Sequence, residues 1–288
     1  RADLADEVQS LADVVDPLDE TALRTPTPAD GWDVADELAH LAAFDDYAAL
    51  AMNDSFTFAM RLDSAKSGGV DPIAEATQRG RSIGPNRTRD WWHAATSELA
   101  NAASTLGPRT RLAWFGPDMG AVSFLTARLM ETWAHGLDVA DALGVRVPPS
   151  PRLRSIAHLG VRTRDFAFTV HGLTPPAEPF LVELTAPGGD VWSWGPADAA
   201  QRVTGPALDF CYLVTQRRAR SELDLTAVGA DAQRWLQIAQ TNAAESLKMR
   251  SLARSNLERN PGRSAVTVTA VMLGLASISP QRREKSGR

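Results

Sequence analysis

The sequence predicts an α+β protein with a bundle of four main helices over residues 1–147, a small α+β domain over 151–243 and a flexible basic tail over 244–288. Three observations carry this. Apolar residues recur at helical spacing up to Leu143, the period that buries one face of a helix. The run Val147-Pro148-Pro149-Ser150-Pro151 then interrupts all regular structure. Beyond it, two short β-rich segments flank Pro187-Gly188-Gly189, the pattern of a hairpin.

Residues 4–18 form the first helix, with Leu4, Val8, Leu11 and Val15 on one face and Pro17 loosening its end. Thr25-Pro26-Thr27-Pro28 is a stiff extended link, because proline fixes its own φ and restricts the residue before it. Asp33 is placed to cap a second helix that runs to about Asn53, with Val34, Leu38, Leu41, Asp45 and Ala48 on one face. Residues 55–63 continue as a short helix, broken by Ser67-Gly68-Gly69, and residues 70–85 are ambiguous. A third main helix spans 88–106, with Trp91, Ala95, Leu99 and Ala102 on one face, and Gly107-Pro108 ends it. Residues 111–119 form a loop, and a fourth long helix runs from 121 to 143, closed by Gly144.

Past the proline run, residues 152–171 are helical. Residues 180–186 and 190–194 pair as strands, and 201–204 add a third. Residues 207–217 and 231–243 are helices. Trp192 and Trp194 alternate with Val191 and Ser193, so both indoles share one strand face.

Charge and cysteine usage exclude several functions. The net charge of −5 is uneven. Residues 244–288 hold nine Lys/Arg against three Asp/Glu, a net of +6, which leaves 21 against 32 in the rest, a net of −11. An acidic body does not suit a phosphate-backbone binder, so no nucleic-acid partner is expected. The longest apolar run, 265–278, is shorter than the ~20 residues that span a bilayer, so no membrane contact through the tail is expected. The single cysteine, Cys211, rules out an internal disulfide framework and a thiolate-held metal cluster. With no signal-peptide pattern at the start, the expected compartment is the cytoplasm.

Five histidines remain as candidates for chemistry: His40, His93, His135, His158 and His171. Glu131 and His135 stand four apart on the fourth helix, so both lie on one face, one turn apart. Side chains at that spacing can converge on a single ion, and His40 on the second helix can complete the set if the two helices pack side by side. Three ligands leave a position open, as catalytic sites do. Arg128 offers a partner for an anionic substrate or for Glu131, and Asp138 an acceptor that orients His135. The same stripe of Arg128, Glu131, His135 and Asp138 also reads as a solvated, salt-bridged face opposite Val122, Leu125 and Leu129. Spacing alone leaves both readings open. His93, His158 and His171 read as packing or surface residues, and Cys211 as a buried inert thiol.

Two motifs resemble a known family. Gly31-Trp32-Asp33-Val34 with Ala39-His40-Leu41-Ala42, and Glu131-Thr132-Trp133-Ala134-His135-Gly136-Leu137-Asp138 with Ala142-Leu143-Gly144, resemble the signatures of the mycothiol-dependent maleylpyruvate isomerase family of DinB-like metal-binding bundles. The closest likeness is to an actinobacterial branch whose C-terminal part is sometimes labelled a wyosine-base-formation domain. The resemblance implies a DinB-like four-helix bundle holding a divalent metal, zinc in most members, through His40, Glu131 and His135. It implies mycothiol as co-substrate and a small electrophile as substrate, hence an isomerase or thiol S-transferase. The alternative is a non-catalytic bundle that senses or stores a metal or ligand, or a degenerate member that has kept the fold and lost the reaction. Two histidines and a carboxylate also suit iron(II), nickel or manganese. A lone cysteine does not hold a radical-chemistry cluster, which argues against tRNA modification.

Overall fold

In the computed structural model, the described residues are 1–241 except 69, 70 and 117. The tail expected over 244–288 lies outside them. Ten α-helices, six strands and two 3₁₀ turns are assigned among the described residues.

The first half is helical. Helix α1 (Ala2–Val15) buries Leu4, Leu11 and Val15. Helix α2 (Val34–Asn53) starts at Asp33, whose side chain accepts from the Asp36 amide while the Asp36 carboxylate accepts from the Asp33 amide. That reciprocal cap satisfies two of the amides a helix start leaves unpaired. Asp54 closes α2 and caps α3 (Ser55–Lys66) through the Thr57 amide. The ambiguous segment becomes α4 (Pro72–Ile83), capped by Asp71 with proline in its first turn. Its pattern is obscured because α4 buries only Ala76, Thr77 and Gly80. Gly84, at φ +89°, turns the chain into α5 (Pro85–Ser104). Leu112 and Met119 pair in a two-residue hairpin, β1 (Arg111–Leu112) with β2 (Met119–Gly120), where the sequence reads as a loop. Helix α6 (Ala121–Leu143) ends at Gly144 in the left-handed conformation.

Helix α2 is the axis of this half. It packs against α3, α4, α5 and α6. It is buried on almost every side, from Val34 and Leu38 to Ala48. A cluster of Leu11, Val15, Leu23, Leu38, Leu41, Trp92 and Val139 fills the space between α1, α2, α5 and α6.

The second half begins with α7 (Leu153–Arg162) and α8 (Arg164–Val170). These are two helices where the pattern suggests one, because the chain turns at Thr163. Strands β3 (Phe180–Thr185), β4 (Val191–Trp194), β5 (Gln201–Pro206) and β6 (Thr226–Val228) form a sheet in the order β4-β3-β5-β6. β3 and β5 run parallel and the other pairs antiparallel. β6 escaped the sequence pattern: it is three residues long and half exposed. Helices α9 (Ala207–Val214) and α10 (Ala230–Ile238) pack on β5. Trp192 and Trp194 share a face, and the Trp194 indole donates to His158 Nδ1 at 3.1 Å.

The core is continuous between the halves. One apolar cluster runs from Leu129, Met130 and Trp133 of α6 through Ile156 of α7 to Phe210 and Trp235. Gly160 of α7 allows the approach of α9, since a Cβ there would stand 2.9 Å from Val214. Arg152 also ties α7 back to α1, with Nε 2.6 Å from Glu7 and an Nη2 hydrogen bond to Ser10. Residues 1–241 accordingly form one compact unit. No described helix is long and apolar enough to cross a membrane.

Candidate metal centre

The site lies between α2 and α6, which pack side by side. α2 brings Glu37 and His40, one turn apart, and α6 brings Arg128, Glu131, His135 and Asp138. The polar stripe of α6 is therefore turned inward rather than to solvent. Arg128 and Asp138 are buried, while Val122, expected on the apolar face, is 69% exposed.

Three donor atoms converge. Glu131 Oε2 lies 3.6 Å from His40 Nε2 and 3.3 Å from His135 Nε2. One ligand atom from each of the three residues falls within 4.8 Å of the others. The two imidazole rings are 4.4 Å apart. Two nitrogens and one carboxylate oxygen, held on two packed helices, form a donor set that fits zinc or another borderline divalent ion.

The nitrogens facing away from this point are treated differently. His135 Nδ1 stands 2.7 Å from Glu37 Oε2, and Glu37 Oε1 accepts from Thr27 Oγ1 at 2.6 Å. A carboxylate on Nδ1 favours a proton there, which would leave Nε2 free to ligate an ion once its own proton is lost. Asp138, the acceptor expected from sequence, lies 3.8 Å from the same nitrogen and pairs instead with Arg217 Nη2 at 2.8 Å. Glu37 holds the closer place because α2 points it directly across at His135. His40 Nδ1 is buried without a hydrogen-bond partner among the described residues. Its ring is held by packing, 5.6 Å from Trp32 and 4.6 Å from Phe44.

A second trio, Glu37, His135 and Asp138, also brings its ligand atoms within 4.8 Å of one another. His135 belongs to both trios, and Asp138 of the second is also paired with Arg217. Arg128 does not reach outward. Its Nε lies 2.8 Å from Asp45 Oδ1, with both side chains almost fully buried.

Electrostatics divide the two histidines. Burial, then the neighbouring His135, pushes His40 down to about 4, against the pull of Glu131. His135 rises to about 9: burial opposes the charge, but Glu131 and Glu37 outweigh it. Burial likewise opposes ionisation of Glu131, and the two imidazoles overcome it and hold the carboxyl well below its usual range. Burial raises Asp138 to about 6 despite Arg217. Cys211 is sealed, its thiol pushed far up by burial. His93 pairs with Asp16 at 2.7 Å, and His171 Nδ1 meets the Ala167 carbonyl at 2.9 Å, so both are occupied away from the site.

The model for the mycothiol maleylpyruvate isomerase N-terminal domain matches residues 4–140. The chain belongs to the mycothiol-dependent maleylpyruvate isomerase family. His40, Glu131 and His135 all fall inside that match. A second family model, described as wyosine base formation, matches residues 176–228, the sheet region of the second half. A Mycobacterium tuberculosis protein described as uncharacterized is 53% identical over 242 residues, in strain CDC 1551 / Oshkosh and in strain H37Rv. The alignment covers 84% of this chain and 94% of that protein. The crystal structure of the mycothiol-dependent maleylpyruvate isomerase superposes with a TM-score of 0.52 at 16% identity, covering 78% of this chain and 90% of that one. A histidine-to-alanine mutant of that enzyme gives 0.51 with the same coverage. The family fold thus accounts for the helical half and the mixed sheet together.

Three features of the centre escaped sequence reasoning. Glu37 stands on the apolar stripe between Val34 and Leu41, and a carboxylate in that position was a readable signal. Trp32, whose ring lies 6.1 Å from His135, entered the sequence reading only as part of the family motif. Arg217 reaches Asp138 and the Ala134 carbonyl from the end of α9, a contact no local pattern reveals.

Proposed function

We propose that the protein is a metal-dependent enzyme of the mycothiol-dependent isomerase or thiol S-transferase type. The observation that supports this reading best is the convergence of His40 Nε2, Glu131 Oε2 and His135 Nε2, with His135 fixed from behind by Glu37. A divalent ion at this point, zinc in the preferred reading, supplies a Lewis acid that lowers the pKa of a thiol and so provides a nucleophile at neutral pH. The residues of the chain do the rest. His40, Glu131 and His135 would hold the ion. Glu37 and Thr27 keep His135 in the required tautomer. Trp32 and Phe44 clamp the His40 ring. The thiol comes from outside, as mycothiol, since Cys211 is buried and kept protonated.

The substrate is a small electrophile. The thiol sulfur forms a bond to one carbon of an activated double bond, the π bond opens, and the thiol proton ends on the neighbouring carbon. Loss of the thiol after rotation about the new single bond returns the double bond with changed geometry, an isomerisation with no net change in atoms. Retention of the adduct is S-conjugation.

The test has two arms. Purified protein is expected to bind one zinc per chain, and His135→Ala to lose it while circular dichroism stays unchanged. Wild-type protein that takes up no zinc, cobalt or nickel would overturn the metal reading. Zinc-loaded protein is then expected to accelerate the reaction of mycothiol with activated alkenes. A stoichiometric zinc site with no acceleration over mycothiol alone would leave a metal- or ligand-binding bundle in place of an enzyme.

A further inference from the structure

An aromatic surface begins at the candidate metal site and runs outward from it. The His40 ring is 4.6 Å from Phe44. Phe44 in turn lies 5.8 Å from Tyr47, 5.6 Å from Phe115 and 6.2 Å from Trp114. Tyr47 and Phe115 meet edge to face at 5.4 Å. Behind these four stand Phe58 and Phe124, fully buried against Trp114 at 5.7 and 4.9 Å. The two inner rings are core. The four outer rings are only partly buried and keep area open to solvent. They come from two directions, Phe44 and Tyr47 from α2 and Trp114 and Phe115 from the β1–β2 hairpin. A one-sided core contact does not require that arrangement.

The contacts of these rings with one another, 5.4–6.2 Å between centroids, hold their solvent-facing sides in place, and flat apolar groups stack on such sides.

We propose that this site takes an electrophile bearing an aryl or similarly flat apolar group, seated on Phe44 and Phe115. The proposal rests on the thiol-addition reading given above. The covalent step is the same addition: one S–C bond forms, one C=C π bond opens, and the thiol proton moves to the adjacent carbon.

The test separates binding from turnover. Zinc-loaded protein is titrated calorimetrically with two ketones that cannot react, 4-phenylbutan-2-one and butan-2-one. The phenyl ketone is expected to bind at least about tenfold tighter, the scale of one good aromatic contact with its buried area. Phe115→Ala, on the hairpin, and Phe44→Ala are expected to erase that preference, and Phe44→Tyr to keep it. Equal affinity for the two ketones, or a preference that survives in folded Phe115→Ala, would overturn the proposal. Mycothiol addition to 4-phenylbut-3-en-2-one and but-3-en-2-one is then followed, each relative to its uncatalysed rate. The larger acceleration is expected for the aryl ketone, and a larger one for but-3-en-2-one would also overturn the proposal. Intact binding preference with no acceleration of any acceptor would instead count against the thiol-addition reading.

Discussion

Glu37 Oε2 and His135 Nδ1 face each other at 2.7 Å across the α2–α6 interface, and the other Glu37 oxygen is held by Thr27. Partners of this kind set both the orientation and the basicity of a ligating imidazole. Glu37→Gln is therefore expected to weaken zinc binding about 10–100-fold, without unfolding the protein. Thr27→Val, which removes only the outer link, should have a smaller effect. Competition with a chromophoric chelator measures both, and equal affinity in Glu37→Gln would remove Glu37 from this role.

The two histidines give the metal-free protein a defined pH profile. His135, raised from 6.5 to about 9, contributes stability that is complete below 6.5 and is lost as pH rises through 9. His40, lowered from 6.5 to about 4, resists protonation in the fold, so stability falls as pH drops below 6.5. Glu131, held well below its usual range, adds stability that is lost only as pH falls further. Asp138, raised from 3.8 to about 6, contributes stability that is lost as pH rises through 6 and offsets much of the His40 effect. The melting temperature of chelator-treated protein should therefore fall as pH rises from 6.5 through 9. Zinc affinity should climb between pH 6.5 and 9, as the proton leaves His135. A flat melting profile across this window would contradict the assignment.

Asp45 and Arg128 form an ion pair with almost no exposure beneath the centre. Asp45→Asn leaves the guanidinium buried without its counter-charge and is expected to cost about 3–5 kcal/mol. Replacing both at once, Asp45→Leu with Arg128→Met, should recover much of that loss, because no buried charge then remains unpaired. Urea unfolding of the single and double variants provides the comparison. A double variant as unstable as Asp45→Asn would show that the loss does not arise from the stranded charge.

Gly80 lets α4 approach α2 next to the site. A Cβ on Gly80 would lie 2.7 Å from the Cβ of Ala39, the residue before His40. Neither atom ends a flexible chain, so the helices must separate. Gly80→Ala is expected to destabilise the protein by about 1–3 kcal/mol, the usual cost of overpacking, despite alanine's better helix propensity. Denaturant titration reads this directly, and a gain in stability would show that the contact relaxes freely.

Much of the architecture was legible because helical periodicity and punctuation coincide. Helix α6 runs from Ala121 to Leu143 as read, since Gly144 marks its end and the apolar spacing is unbroken. The proline run before α7 and the Pro187-Gly188-Gly189 turn were equally clear. Helix α4 was hidden because its buried residues are small. Strand β6 was hidden because three residues carry no period. At the site, the spacing of Glu131 and His135 was visible, but the direction of their stripe was not. A wheel shows which residues share a face, and only packing decides which face turns inward. The family motifs bore out the family, and the contacts of Glu37 and Arg217 emerged only when distant segments met.

The link from Arg217 to Asp138 and the Ala134 carbonyl means that the helical half and the sheet half are not interchangeable modules. A fragment ending at residue 147 would leave the Asp138 carboxylate without its guanidinium, 3.8 Å from His135 Nδ1. It would also bare Trp133, which stacks 5.8 Å from Tyr212. Grafting this bundle onto another C-terminal half would change the charge balance around His135, even with all three donors intact.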